Sequence, residues 1–271
     1  TSVSSASAAN CAGITGSTPG PLQGSWGGRP TRAGIAVSCV PGGTARAAAL
    51  RTGTADIVEA VPAGQVENLD PALVHEVPMP RTNTLYLNTA TGPFADPSVR
   101  AAARAAIDRA AIIASVYEGR ADEAQGLLGP ALAWTAGARS TAAYEDLLIT
   151  RAAPAHLDRV PITLGTFTDR AELPEVAVLV EQQLEAAGFV VTQDVREYQF
   201  IEADALAGAF DAFILSRATV LDSGDPVAYF ASDFGCDGGF SLSQLCDPGV
   251  EAAVTTASQS APGAERQRAI L

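Results

Sequence analysis

Residues 162–195 read ITLGTFTDRAELPEVAVLVEQQLEAAGFVVTQDV, and this stretch decides the architecture. Residues 162–167 and 189–195 are short apolar, β-branched and aromatic runs of strand length. Between them Pro174 opens a helix whose apolar positions Val176, Leu179, Val180, Leu184 and Ala187 recur at helical spacing. Gly188 closes that helix. Strand, helix and strand in this order predict a βαβ unit with a right-handed crossover and a parallel sheet. A further helix over 199–206 and a strand over 211–218 extend the same alternation.

The strand over 211–218 leads into Leu221-Asp222-Ser223-Gly224-Asp225-Pro226. In open α/β sheets ligands bind outside the carboxyl ends of the strands, so this turn is the expected floor of a binding cleft. Asp222 is the candidate partner for a cationic group such as a peptide's α-ammonium, and the backbone of Ser223 and Gly224 can pair with a ligand main chain. Asp-x-Gly-Asp-Pro is also ordinary turn chemistry, and Asp225 is read as a turn residue. Arg170, beyond the strand ending at Phe167, can hold a ligand carboxylate bidentately or balance an acidic surface. Arg217 can serve in its place, or pair with Asp222. Phe167 and Tyr198 either line the cleft or pack in the core.

Upstream, residues 1–30 are rich in Ser, Ala, Gly, Thr and Pro and predict loop or extended structure. A strand over 35–40, a helix over 44–51 and a strand over 55–61 make an earlier βαβ candidate. Residues 74–80 and 84–88 read as extended, with a crossover between lobes at Arg81-Thr82-Asn83. One long helix is expected after the N-cap Asp96 and Pro97, ending before Gly119. Its buried stripe is Val99, Ala103, Ala106, Ile107, Ala110, Ile113 and Tyr117, and Arg104 pairs with Asp108 on the exposed side. Helices are also expected from 250 to 258 and from 266 to the end. With no charged start and apolar h-region before Thr1 and no cap after Leu271, the chain reads as trimmed at both ends.

The 271 residues carry 17 basic against 30 acidic side chains, a formal charge of −13. All 17 basic residues are Arg, and with the abundant Ala this fits a GC-rich codon bias. Repulsion of polyanions and the lack of a basic patch argue against nucleic acid as a partner. Apolar residues at 47% and a mean hydropathy of +0.16 predict a folded protein, and no run reaches membrane-span length. Nucleophile-elbow, zincin, P-loop and dinucleotide motifs are missing, so a hydrolase is the weakest reading and no enzyme activity is expected. His75 and His156 stand alone and no Cys-x-x-Cys occurs, so neither metal nor cofactor is expected. Cys236 and Cys246 flank a Gly-rich loop and suit one disulfide, leaving Cys11 with Cys39. That favours an exported protein, the alternative being four buried thiols in the cytosol.

Three blocks of sequence resemble the extracellular solute-binding proteins of the peptide and nickel type, family 5, which feed ABC importers. The first is Trp26-Gly-Gly-Arg-Pro30 with Ala48-Ala-Leu-Arg-Thr-Gly-Thr-Ala-Asp-Ile57. The second is Leu85-Tyr-Leu-Asn88, Pro93-Phe94, Asp96-Pro-Ser-Val-Arg100 and Ala105-Ala-Ile-Asp-Arg109. The third is the turn at 222–226, the Cys236/Cys246 pair and Asp247-Pro248. The resemblance implies a partial α/β type II periplasmic-binding-protein fold, a two-lobed Venus flytrap with mixed sheets flanked by helices. Residues 1–80 would be part of the first lobe and 81–271 most of the second. It implies a monomeric extracellular or cell-envelope protein, lipid-anchored, binding short peptides between two lobes and delivering them to an ABC permease. In dipeptide-binding relatives the Asp matching Asp222 receives the ligand's amino terminus, and a similar Cys pair follows. Such relatives often carry a Trp before that Asp, where this chain has Ala218-Thr-Val-Leu221. The alternative function is a cell-envelope lipoprotein of the same fold acting as an interaction or regulatory protein without transport.

Overall fold

The computed structural model describes residues 36–38, 40, 42–77, 79–220 and 224–271. The chain divides into two compact units, Thr1–Pro62 and Ala63–Leu271. The helices are α1 Gly43–Arg51, α2 Ala63–Val66, α3 Pro97–Ala106, α4 Arg109–Val116, α5 Thr141–Ile149, α6 Glu172–Ala186, α7 Tyr198–Leu206, α8 Pro226–Phe234, α9 Pro248–Gln259 and α10 Ala264–Ile270. The strands are β1 Arg81–Leu87, β2 Val160–Phe167, β3 Phe189–Arg196 and β4 Ala212–Ala218.

In the first unit α1 forms as expected, but the described residues of the two flanking segments form no strand. The Arg46 guanidinium takes the carbonyls of Val40 and Ala60 at 2.7 and 2.9 Å. Those backbone acceptors are therefore met by a side chain instead of a strand partner.

The second unit is built on one mixed sheet of order β1-β4-β2-β3. β2 pairs in parallel with β3 and with β4, while β1 runs antiparallel to β4. The β2–α6–β3 unit matches its sequence reading almost residue for residue. Gly188 turns the chain at φ +101°, and a Cβ there would lie 2.5 Å from the Leu157 carbonyl oxygen. The two central strands are buried along most of their length, as apolar runs covered on both faces require. Leu164, Ile214, Leu173, Leu184 and Ile201 are among the side chains fully withdrawn from water. Gly165 lets the Phe213 ring lie against β2, since a Cβ would come within 2.6 Å of that ring.

The long helix expected over 97–117 is two helices. Asp96 caps α3 through the Ser98 amide, with Pro97 in the first turn. Ile107 and Asp108 then leave helical conformation, and the Asp108 carboxylate caps α4 through the Ala111 amide at 2.9 Å. The Gln183 side chain accepts the freed Asp108 amide proton at 3.0 Å. Asp108 is thus an N-cap and not the partner of Arg104, because an Asp side chain competes well for orphan helix amides. α8 lies in a stretch for which no helix was expected. Asp225 is its N-cap, with Pro226 at the first position, consistent with a turn residue. Cys236 and Cys246 form a disulfide; Cys11 and Cys39 lie outside the described residues.

Candidate functional site

Parallel pairing brings the ends of β2, β3 and β4 to one edge of the sheet. Antiparallel pairing adds the start of β1, with Arg81 opposite Ala218. This carboxyl edge is where an open sheet offers a ligand crevice. Arg170 follows β2 and lies 3.5 Å from Glu172 in the first turn of α6, both side chains about a quarter exposed. Asp169 accepts the Tyr198 amide at 2.7 Å and ties this loop to the start of α7. Arg196, at the end of β3, is held by Asp194 and Asp204 at 3.0 and 2.8 Å.

Arg81 donates to the Ser216 carbonyl at 2.7 Å. Burial first, then the positive charges of Arg170 and Arg217 against the pull of Glu172, together lower its guanidinium pKa to about 10. Three guanidinium groups therefore gather near this edge. Tyr117 is hydrogen-bonded to Asn83. Burial, with Glu172 close by, pushes its hydroxyl up to about 12. Tyr198 packs edge-on against the buried Phe167 at 5.0 Å and donates to Glu202 at 2.6 Å. Its hydroxyl is also raised, by burial first and then by Glu202.

Arg217 has a different position from the one expected. Its Nε and Nη2 donate to both oxygens of Asp233 on α8, at 2.8 and 2.7 Å. Asp233 is completely buried and Arg217 is 21% exposed. The guanidinium also lies 4.2 Å from the centre of the Phe240 ring. Burial pulls the Arg217 pKa down, but the bonds and charge of Asp233 more than offset this and hold it above its ordinary value. Beside the pair the hydroxyls of Tyr86 and Tyr229 meet at 3.1 Å. Arg217 thus fastens α8 to β4.

Asp222 and Ser223 lie outside the described residues. Their described flanks are Val220, just beyond β4, and Gly224, just before α8. Gly224 has φ +74° and open space where a Cβ would stand, a conformation glycine adopts without strain. Asp225 pairs with Arg266 at 2.6 Å. His75 and His156 are exposed. Among the described residues no cluster of His, Cys, Asp and Glu could hold a metal ion.

Arg81, Asn83, Glu172, Tyr117 and Asp233 were not among the candidates drawn from sequence. Only β1 running antiparallel to β4 brings Arg81 to this edge, and no local pattern reports that pairing. An acid in the stretch after the Asp222 turn was the one available hint of a partner for Arg217.

This mixed α/β unit has the fold of the type II periplasmic binding proteins, as its solved structural neighbours show. The chain belongs to the bacterial extracellular solute-binding proteins of family 5, whose "family 5 Middle" description matches residues 25–241. It is 29% identical over 256 residues to the probable ABC transporter periplasmic-binding protein SapA of Escherichia coli, covering 87% of this chain and 45% of that one. It is 28% identical over 252 residues to the probable di/tripeptide-binding protein 5 of Pseudomonas aeruginosa, covering 89% and 47%. The chain spans a little under half the length of these curated relatives. Among solved structures, the dipeptide-binding protein of Pseudoalteromonas sp. SM9913 in complex with Met-Leu superposes with a TM-score of 0.70 at 22% identity. The match covers 85% of this chain and 48% of that protein, and it speaks for the fold. These relatives are binding proteins.

Proposed function

We propose that this chain is part of the substrate-binding component of an ABC importer and binds short peptides. Asp222 takes the peptide's α-ammonium, the backbone of Ser223 and Gly224 pairs with the peptide main chain, and Arg170 takes the carboxylate. Support comes from family membership together with one observation. Arg170 and Arg81 stand at the sheet edge where β4 leads towards residues 221–223, and Arg170 is only loosely held by Glu172. Arg217, with its fork taken by Asp233, is assigned the supporting role. Residues 1–80 are assigned to the first lobe of the complete protein and 81–271 to the second. A ligand gripping both lobes would favour the closed state by its differential affinity, and no bond of the ligand changes. The protein is placed outside the cytoplasmic membrane, lipid-anchored, as a monomer that meets its permease.

The test is calorimetric titration of the complete protein with a free dipeptide, its N-acetyl form and its C-terminal amide. Charge-assisted bonds of about 1.5–3 kcal/mol set the expected loss at roughly ten- to a hundredfold for Asp222→Asn. Acetylation should remove most of the affinity of the unmodified protein and little from the variant. Equal affinity of Asp222→Asn and the unmodified protein would remove the residue from the site. No heat with any peptide, together with a co-purifying envelope protein, would favour the non-transport alternative, for which the sequence Ala218-Thr-Val-Leu221 is the motive.

A further inference from the structure

The second unit carries another depression, of about 570 Å³, between the end of α3, the start of α4 and the end of α5. Arg104, Arg109 and Arg151 line it, and among the described residues no carboxylate does. In a chain with 30 acidic side chains against 17 arginines, three arginines lining one hollow call for a cause. Arg109 is held in place: it pairs with Glu123 at 3.2 Å, donates to the Ala124 carbonyl at 2.9 Å and lies 4.9 Å from the centre of the Tyr144 ring. Among the described residues the guanidinium groups of Arg104 and Arg151 have neither a hydrogen bond nor an ion pair. Asp108, the nearest acid in sequence, uses its carboxylate on the Ala111 amide. The carboxyl ends of α3 and α5 contribute partial negative charge, about half a unit each, which leaves the pocket cationic. Tyr144, Ile107 and Leu148 supply an apolar wall, and the volume falls within the ordinary range of small-molecule sites, about 300–1,000 Å³.

This pocket is separate from the carboxyl edge. Asp108 and Gln183 bond to each other near the carboxyl end of α6, whereas Arg170 and Glu172 stand at its amino end. Because α6 returns the chain from the end of β2 to the start of β3, the pocket lies towards the opposite edge of the sheet.

We propose that this pocket is a second ligand site, for a small organic anion. Its carboxylate or phosphate meets Arg104 and Arg151, and its apolar or aromatic body lies on Tyr144, Ile107 and Leu148. Guanidinium forks suit both oxyanions, and a ring can stack on the Arg109–Tyr144 pair.

Calorimetry of the whole chain with phenyl phosphate and with benzoate tests this, with inorganic phosphate and benzyl alcohol as probes of head and body alone. Saturable one-to-one binding of at least one aromatic anion is expected, tighter than either single-feature probe. The Arg104→Gln/Arg151→Gln variant should bind about tenfold more weakly or worse. A charge-matched variant at exposed positions, Arg51→Gln/Arg268→Gln, should stay within about twofold. The Asp222→Asn variant should bind these anions as the unmodified protein does, which separates failure of this site from failure of the peptide site. No saturable heat with either anion, equal losses in both arginine variants, or equal affinity for benzyl alcohol would each overturn the proposal.

Discussion

Replacing Arg217 with Met removes the partner of a carboxylate that has no exposed surface while keeping an apolar stem against Phe240. Losing both bonds from Arg217 leaves Asp233 with two choices. It can remain charged in a dry site, which costs several kcal/mol, or it can take up a proton. Protonation sets the ceiling. From an ordinary carboxylate value of 3.8, neutralising the group at pH 7 costs about 4 kcal/mol, since each pH unit is worth about 1.4 kcal/mol; burial already raises the Asp233 carboxyl above that value with Arg217 in place, so part of this cost is carried by the unmodified protein. The expected loss is therefore at most about 3–4 kcal/mol at pH 7, shrinking by up to about 1.4 kcal/mol per unit as pH falls towards 5. The linkage sign agrees. In the variant the buried carboxyl has a folded pKa above its unfolded one, so its folded state binds more protons and gains relative stability on acidification. Asp233→Leu should cost less, because Arg217 is already one-fifth exposed and its charged end can reach water. The double variant should recover part of the loss, as buried pairs replaced by apolar groups often do. Urea unfolding followed by near-ultraviolet circular dichroism at pH 5, 6 and 7 measures all three. A loss under about 1 kcal/mol for Arg217→Met at pH 7, or one that does not change with pH, would refute the reasoning.

Alkaline pH should destabilise the protein through its tyrosines. Tyr86 and Tyr117 are pushed up to about 12 by burial, and Tyr198 and Tyr229 are raised as well. Between about pH 10 and 12 the unfolded chain releases protons that the folded chain keeps, so stability falls as pH rises; ultraviolet difference titration should show these hydroxyls ionising only with unfolding. Gly188→Ala should cost about 1–3 kcal/mol or more in urea unfolding, from the left-handed backbone and the Leu157 carbonyl 2.5 Å from the new Cβ. Cys236→Ser/Cys246→Ser should cost about 2–3 kcal/mol, the entropy of the short loop that the bond closes; an unchanged denaturation midpoint would show that the remaining packing already closes that loop.

Much of the local structure was legible in the sequence. β2, α6 and β3 follow from apolar runs and a helical stripe bounded by Gly188, and the Asp96–Pro97 start of α3 follows from capping chemistry. The single helix expected through residue 117 fails at Ile107–Asp108. There the stripe continues across a backbone break, because periodicity reports which side chains are buried and not whether the helix is continuous. α8 escaped notice beside a turn whose Asp and Pro were read only as turn residues. At the candidate site, Arg170 and the approach to Asp222 came from the rule that loops after strands bind ligands, and the family resemblance sharpened it.

What the sequence by itself determined is local: caps, strand runs, the ten-residue spacing of the disulfide and the family blocks. Each depends on residues a few positions apart, whose geometry the backbone limits directly. The tertiary structure alone decided which charges meet. Arg217 on β4 reaches Asp233 near the end of α8, sixteen positions further along the chain, and Arg81 joins the carboxyl edge because β1 runs antiparallel to β4. Arg104, Arg109 and Arg151 share one hollow because three helix ends converge. Coulomb and hydrogen-bond energies depend on distance in space and on burial, and chain position constrains neither across a fold.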